Sequence, residues 1–191
     1  MHIRDTKKQL RLAIEERLAH LSPADREKES RSLCRRVLER IPNSSIVCAY
    51  WPLKTEANIR PLIEELLKTG HDVYLPCFEG KLLFRKCTEV QTLTKGELGI
   101  MEPSRDAVEL NRNAENVIVL VPARGYDRSC NRLGRGNGGY DIWIAEQRTR
   151  NPSTAFWGIA LECQMVNEVP MEEHDQYVDA VVTARGWIDT T

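Results

Sequence analysis

Long apolar runs are missing from this chain of 191 residues, and no stretch approaches the roughly 18 uninterrupted apolar residues of a membrane-spanning helix. Residues 1–9 contain no apolar core, so we expect no signal peptide. The formal net charge is only −1. A chain so close to neutral has no global field that attracts nucleic acid or an anionic membrane, so any anion site must be local. These absences favour a cytoplasmic protein without a nucleic-acid or membrane partner.

Closely spaced cysteines are missing as well, because the six cysteines are scattered and none forms a CxxC pair. We therefore favour free thiols over a disulfide framework or a zinc site. The apolar content of 41% and the charged content of 29% are ordinary for a globular protein. The length predicts a single domain over residues 1–191, large enough to bury a full core.

Helix and strand patterns alternate along the chain. Helical spacing predicts helices over residues 5–20, 23–41 and 58–68, the second with Ser22 as N-cap and Pro23 at its first position. Apolar runs predict strands at 46–51, 72–76, 116–121, 155–161 and 177–183, with an antiparallel strand at 81–87 and a surface loop at 92–104. This order predicts an α/β fold: an open, mostly parallel twisted sheet flanked by helices, in a Rossmann-like three-layer arrangement. Ligands in such folds bind beyond the carboxyl ends of the strands.

One glycine-rich run carries the strongest functional signal: Arg132-Leu-Gly-Arg-Gly-Asn-Gly-Gly-Tyr-Asp141. It follows an apolar strand and precedes a stretch with helical spacing, and this arrangement is typical of a phosphate site. Glycines let the backbone N–H groups approach an anion, while Arg132 and Arg135 add positive charge. The run matches neither GxGxxG in its usual setting nor GxxxxGK[ST]. Its alternative interpretation is a flexible turn.

Three further pairs are weaker candidates. Lys7 and Arg11 share one helix face and suit phosphate, although without other evidence a solvated basic face is the simpler explanation. Trp51 and Glu56 follow the first strand and suit a flat polar heterocycle, or they are a core indole and a surface acid. The His174-Asp175 pair offers a metal ligand in Asp175, or a histidine that orients a loop.

Taken together, these segments resemble the 5-formyltetrahydrofolate cyclo-ligase family, also called methenyltetrahydrofolate synthetase. The similarity includes the first helix, the Tyr50-Trp-Pro segment, residues 96–103, the glycine run, and residues Gln164, Pro170 and Val181. The resemblance implies that the chain uses ATP and Mg²⁺ to close 5-formyltetrahydrofolate to 5,10-methenyltetrahydrofolate, with release of ADP and phosphate. It implies a phosphorylated formyl group, an iminium phosphate, as the intermediate. ATP and a reduced folate are then its partners, and we expect a monomer or weak dimer.

The resemblance also implies roles for particular residues. Arg135 and Tyr140 are the implied catalytic residues, with Arg135 nearest the transferring group. The implied ATP-binding residues are Lys7, Arg11, Arg132, Gly134, Arg135, Gly136, Asn137, Gly138, Gly139 and Tyr140. Trp51, Glu56, Arg135 and Tyr140 are implied to bind the folate, and Asp141 and Asp175 the magnesium ion.

Two positions depart from the pattern usual in this family. Gly139 stands where an aromatic residue is usual, and Cys130 stands where glycine is usual. The loss of an aromatic side chain at Gly139 changes the substrate pocket but does not affect the residues that bind the phosphates. Two alternatives to the ligase therefore stay open: a paralogue that uses ATP on a different small amide or acid, and a non-catalytic regulator that binds nucleotide or folate.

Overall fold

A seven-stranded sheet with helices on both faces forms the centre of the protein. The computed structural model describes residues 2–96 and 99–190, so Met1, Glu97, Leu98 and Thr191 lie outside the described residues. The α-helices are α1 (Ile3–His20), α2 (Pro23–Arg40), α3 (Arg60–Lys68) and α4 (Gly139–Arg150). The strands are β1 (Ile46–Cys48), β2 (Asp72–Phe78), β3 (Leu82–Cys87), β4 (Thr94–Lys95), β5 (Met101–Glu102), β6 (Val117–Pro122), β7 (Gly125–Tyr126), β8 (Arg132–Leu133), β9 (Ala155–Ile159), β10 (Ala180–Val182) and β11 (Trp187–Asp189).

The order of the main sheet is β11-β10-β9-β6-β1-β2-β3. The five inner strands pair in parallel, while β3 and β11 pair antiparallel at the two edges. Two short hairpins, β4 with β5 and β7 with β8, lie outside this sheet. The structure confirms the predicted open and mostly parallel sheet.

Both faces of the sheet are buried, and the central strand β6 shows how. Ile118 and Leu120 belong to the hydrophobic cluster that α1, α2 and α3 cover, whereas Val119 and Val121 belong to the cluster that α4 covers. Successive side chains of a strand point to opposite faces, so a strand covered on both sides is apolar throughout. This is why residues 117–121 form an uninterrupted apolar run and why the fold has three layers.

Local signals set the helix ends as predicted. The Ser22 hydroxyl accepts a hydrogen bond from the Asp25 backbone N–H, with Pro23 at the first helical position of α2. Gly70, with φ of +82°, follows the end of α3. In the described part of the chain, no helix is both long and apolar enough to cross a membrane.

Two sequence-based predictions need correction, and one strand was not predicted. The first strand ends at Cys48 rather than at Trp51, because the chain turns away from β2 after Ala49. The predicted surface loop at 92–104 contains the β4–β5 hairpin in its described part, and its Leu93 is buried. The strand β11 was not predicted; Arg40 stacks 4.3 Å above the ring of its Trp187 and holds it against α2. Strands of two or three residues are too short to show a periodic pattern.

The chain reverses direction across the sheet between β1 and β6. From β1 it continues through α3 to β2 on one side, whereas from β6 it continues through α4 to β9 on the other side. Adjacent strands whose connections diverge in this way leave a crevice at their carboxyl ends. The loop after β1 and the glycine run before α4 both lie at this edge of the sheet.

Candidate active site

Two cavities lie at this edge. The apolar cavity is lined by residues that include Trp51, Glu56, Cys77, Arg132, Arg135 and Tyr140. The polar cavity is lined by residues that include Lys7, Arg11, Arg132, Gly136, Asp141 and Asp175. Arg132 lines both cavities, so its buried guanidinium forms part of the wall between them.

The glycine run forms an open backbone edge of the polar cavity. Gly136 and Gly138 have φ of +99° and +70°, in the left-handed region that glycine adopts without strain. Gly138 is the N-cap of α4, and a Cβ atom placed on Gly138 or Gly139 would meet no atom within 4 Å. Arg11 Nε donates to the Gly134 carbonyl at 2.8 Å, which fixes the loop to α1. The exposed N–H groups at the start of a helix suit a phosphate.

Arg132 and Asp141 tie this loop to the first turn of α4. Arg132 Nη2 lies 2.7 Å from Asp141 Oδ2, and both side chains are largely buried. Arg132 Nη1 also donates to the Pro122 carbonyl at 3.4 Å, at the carboxyl end of β6. The remaining Arg132 Nε is buried and has no hydrogen-bond partner among the described residues. Buried guanidinium N–H groups are normally satisfied, so this one is a candidate donor to a ligand.

Glu56 and Arg135 pair on the apolar side. Arg135 Nη2 lies 2.8 Å from Glu56 Oε1, and the buried Glu56 also accepts a hydrogen bond from the Leu53 backbone N–H at 2.9 Å. A carboxylate offers about four acceptor sites, so Glu56 can still accept from a ligand. Arg60 stacks 4.8 Å above the Trp51 ring. The pair predicted from sequence, Trp51 and Glu56, therefore lines one cavity.

Tyr140 contributes a buried hydroxyl to the apolar cavity. Its oxygen has no hydrogen-bond partner within the described ranges, and its ring lies 5.8 Å from the Arg132 guanidinium. Burial raises the pKa of this hydroxyl, so it stays protonated and can donate. The hydroxyl and Arg132 Nε are two unsatisfied donors on neighbouring groups.

Lys7 and two carboxylates form the far side of the polar cavity. Lys7 Nζ lies 2.9 Å from Glu172 Oε2 and also donates to Asp175 Oδ2. The hydrogen bond from Lys7 lowers the pKa of Glu172. Burial opposes ionisation of Asp175, yet the hydrogen bonds from Lys7 and from the Glu172 backbone lower its pKa. Both acids are therefore carboxylates at neutral pH.

The structure brings most of the predicted residues to these cavities. Lys7, Arg11, Gly134, Gly136, Gly138, Asp141 and Asp175 line the polar cavity, and Asn137, Arg135 and Tyr140 line the apolar one. His174 is exposed at the rim. Asp141 and Asp175 share the polar cavity, where their partners are the cations Arg132 and Lys7.

Sequence reasoning missed the contacts of three residues near the site, although the family resemblance already included Gln164 by position. Glu172 lies in an acidic run beside His174, and that run was the available signal. Arg124 follows β6 and pairs with Glu15 of α1, with Nη2 2.6 Å from Oε1. The side-chain amide of Gln164 donates to the carbonyls of Ala123 and Arg124, which fixes the chain after β6. Arg124 belongs to no pattern that a sequence shows, and nothing in the sequence indicates the contacts of Gln164.

A family model described as the 5-formyltetrahydrofolate cyclo-ligase family matches residues 3–184. This chain belongs to that family. A 5-formyltetrahydrofolate cyclo-ligase from Escherichia coli (strain K12) is 30% identical over 176 residues, which cover 89% of this chain and 96% of the relative. A protein of the same name from Mycolicibacterium smegmatis is 30% identical over 187 residues, with 94% of each chain covered.

Solved structures agree with the family assignment. The NMR structure of 5,10-methenyltetrahydrofolate synthetase from Aquifex aeolicus is 28% identical and superposes with a TM-score of 0.80, covering 96% of this chain and 92% of that one. A synthetase from Mycoplasma pneumoniae, 17% identical, has the same fold with a TM-score of 0.73 and coverages of 93% and 98%. The three-layer fold is therefore the fold of proteins with these names.

The two departures from the family pattern have different structural settings. Cys130 has φ of +60°, a backbone conformation that favours glycine, and its thiol lies 3.5 Å from the Ile188 carbonyl of β11. Gly139 has an ordinary φ, and open space surrounds the position of its missing side chain. Cys130 therefore contacts β11 and lines neither cavity, and Gly139, although predicted to bind ATP, also lines neither cavity and adjoins Tyr140, which lines the apolar one.

Proposed function

We propose that this protein catalyses the ATP- and Mg²⁺-dependent closure of 5-formyltetrahydrofolate to 5,10-methenyltetrahydrofolate, with release of ADP and phosphate. One observation carries the proposal: a cationic, glycine-lined cavity and an apolar cavity share Arg132. A reaction that moves a phosphoryl group from a nucleotide to a heterocyclic substrate needs two such sites with a common wall. Family membership supports the choice of substrates.

The apolar cavity fits the pterin end of the folate. The Trp51 indole offers a face for stacking, and the free acceptor sites of Glu56 suit the ring N–H groups of a pterin. Glu56 also holds Arg135 at 2.8 Å, so one carboxylate positions both the substrate and a cation. The buried hydroxyl of Tyr140 has an unused donor, and the Tyr140 ring lies 5.8 Å from the Arg132 guanidinium.

The polar cavity fits a triphosphate and its metal ion. Lys7, Arg11 and Arg132 supply positive charge, and the glycines leave room that a Cβ would fill. Asp141 and Asp175 supply the carboxylate oxygens that Mg²⁺ prefers. When bound, the ion would neutralise phosphate charge during transfer.

The formamide oxygen of the substrate is a poor leaving group, so it must be phosphorylated before it can depart. The formyl oxygen attacks the γ-phosphorus and ADP leaves, which gives an iminium phosphate. N10 then attacks the activated carbon, loses its proton, and the C–O bond breaks to release phosphate. Arg132 and Arg135 flank the junction, where charge on the transferring phosphoryl group develops, and fixed donors at that place lower the barrier. No strong protein nucleophile is required.

The decisive experiment combines the purified protein, ATP, Mg²⁺ and 5-formyltetrahydrofolate and follows methenyl product and ADP together. We expect equal amounts of the two. The absence of methenyl product above a control without enzyme would overturn the proposal. Thermal stabilisation by ATP or folate without any ADP would instead indicate a regulator that binds without turnover.

A second candidate rests on the open space at Gly139. Gly139 adjoins Tyr140, which lines the apolar cavity, so a site without the aromatic side chain usual at Gly139 accepts a differently shaped substrate, and a paralogue would phosphorylate another small amide or acid. Screening ADP release against folates and other amides distinguishes the two functions. A Gly139→Tyr variant should strengthen folate use if the folate is the substrate, because stacking contributes about 1 kcal/mol.

A further inference from the structure

Lys7 is a buried lysine held by two acids. Its side chain is 7% exposed, and its Nζ contacts carboxylate oxygens of both Glu172 and Asp175. Lys7 lies in the second turn of α1, whereas the acids lie in the loop before β10. A buried ammonium is stable only when carboxylates compensate its charge, so this lysine depends on these two partners.

The same carboxylates belong to a group of side chains that can ligate a metal ion. Within residues 2–96 and 99–190, Glu172, His174 and Asp175 are the one group of three side chains whose potential ligand atoms lie within 4.8 Å of one another. Carboxylate oxygens suit Mg²⁺ and Mn²⁺. The Lys7 ammonium, however, already occupies the position of a cation between Glu172 and Asp175. A lysine and a divalent ion cannot both neutralise the same two carboxylates at full strength.

The positive charge around Lys7 also suits an anion. Arg4, Arg11 and Arg132 line the same cavity, and the buried Nε of Arg132 lacks a protein partner within the described ranges. A phosphate chain placed along the glycine run would bring negative charge to the Lys7 side of the cavity. Lys7 could then exchange its carboxylates for phosphate oxygens and remain paired.

We propose that Lys7 exchanges its partners when nucleotide binds. Without nucleotide, Lys7 pairs with the carboxylates of Glu172 and Asp175 and blocks them. When nucleotide phosphates draw Lys7 away, the two carboxylates bind the divalent ion. The proposal rests on the proposed use of ATP and deepens it, because it sets the order in which the ligands bind. Nucleotide and metal then bind with positive coupling that passes through one side chain. Metal binding without nucleotide is weak, and this limits unproductive occupation of the site.

The test measures Mn²⁺ binding without nucleotide, by electron paramagnetic resonance of the free ion. Lys7→Met removes the competing charge and should tighten Mn²⁺ binding by about tenfold, within the range usual for coupling between two sites. Lys7→Arg keeps the charge and should behave like the natural protein. Lys8→Met is the matched control, because Lys8 is its exposed neighbour on α1 and should leave Mn²⁺ binding unchanged.

Two further measurements show whether the tighter Mn²⁺ binding depends on the carboxylates and on nucleotide. Asp175→Asn in the Lys7→Met background should abolish the gain, because it removes a metal ligand. ADP, used as the nucleotide probe and corrected for its own chelation of Mn²⁺, should enhance Mn²⁺ binding more in the natural protein than in Lys7→Met. Equal or weaker Mn²⁺ binding in Lys7→Met, compared with the natural protein, would overturn the proposal.

Loss of Lys7 leaves two uncompensated carboxylates and so lowers the melting temperature. Mn²⁺ should restore that temperature in Lys7→Met, because the divalent ion takes the place of the ammonium; a failure to restore it counts against the exchange. No folate and no turnover enter these measurements. A missing ligase activity would therefore overturn the proposed function alone, and unchanged Mn²⁺ binding in Lys7→Met would overturn the exchange alone.

Discussion

Arg132 and Asp141 form a buried ion pair, with Nη2 2.7 Å from Oδ2, at the wall between the two cavities. The pair connects β8 to the first turn of α4 and so fixes both ends of the glycine run. The acid that the family resemblance assigns to magnesium therefore also holds the arginine that lines both cavities. The stability of the fold and the proposed catalytic role therefore depend on the same pair.

Asp141→Asn should lower the free energy of unfolding by roughly 3 kcal/mol, because it leaves a buried guanidinium without a compensating charge. Asp189→Asn is the control. Its partner is Arg40, both side chains are more than a third exposed, and its loss should cost at most about 1 kcal/mol. Urea denaturation measures both values. Equal losses in the two variants would show that the Arg132–Asp141 pair is no more important than a surface pair.

Arg135→Ala should reduce turnover by about 100-fold while the fold is kept, because it removes a fixed donor beside the transferring group. The side chain of Arg135 is partly exposed and pairs with Glu56. Arg128→Ala, at an exposed arginine on another surface, is the matched control and should keep full activity. Steady-state rates with saturating ATP decide the matter, and undiminished turnover in Arg135→Ala removes Arg135 from the mechanism.

Gly138→Ala and Gly139→Ala should change stability in opposite directions. Neither added methyl meets an atom within 4 Å, so the backbone alone decides. Gly138 has φ of +70°, where alanine costs about 1 kcal/mol. Gly139 is the first residue of α4, where alanine stabilises by about 0.5 kcal/mol because it restricts the unfolded chain. Free energies of unfolding check both signs, and a shared sign would contradict this account of the turn.

Alkaline pH should destabilise the protein through its buried thiols. Burial raises the pKa of Cys34 to about 11, so the folded thiol keeps its proton where the unfolded thiol has lost it. The stabilisation is complete below the unfolded pKa of about 8.5 and is lost as the pH rises toward 11. At pH 10 the loss from this one thiol is about 1–2 kcal/mol.

Urea denaturation at pH 8 and pH 10 tests this sign. Cys34→Ala should lose less stability between the two pH values than the natural protein does. Val37→Ala, a buried change on the same helix without a titrating group, should keep the natural pH dependence. If Cys34→Ala and the natural protein lose the same stability between pH 8 and pH 10, the Cys34 thiol does not contribute to the pH dependence.

Particular elements show how far the sequence predicts this fold. The apolar run of β6 and the Ser22-Pro23 start of α2 were predicted because their signals are local and periodic. The β4–β5 hairpin and β11 were not, because two or three residues carry no period, and β11 contacts Arg40 of α2 through Trp187. The early end of β1 is also a tertiary effect. Its pairing with β2 stops where the chain turns to line the apolar cavity.

The candidate site divides in the same way. By itself the sequence determined the three-layer fold, the position of the glycine run and the residue types that suit phosphate. Only the tertiary structure decided the partners: Lys7 pairs with Glu172 across 165 positions, and Arg135 pairs with Glu56 across 79. The structure also decided that Arg132 lines both cavities. Residues so far apart share no local pattern. Arg135 and Glu56 meet because the loops after parallel strands share one edge of the sheet, whereas Lys7 reaches Glu172 because α1 packs beside that edge.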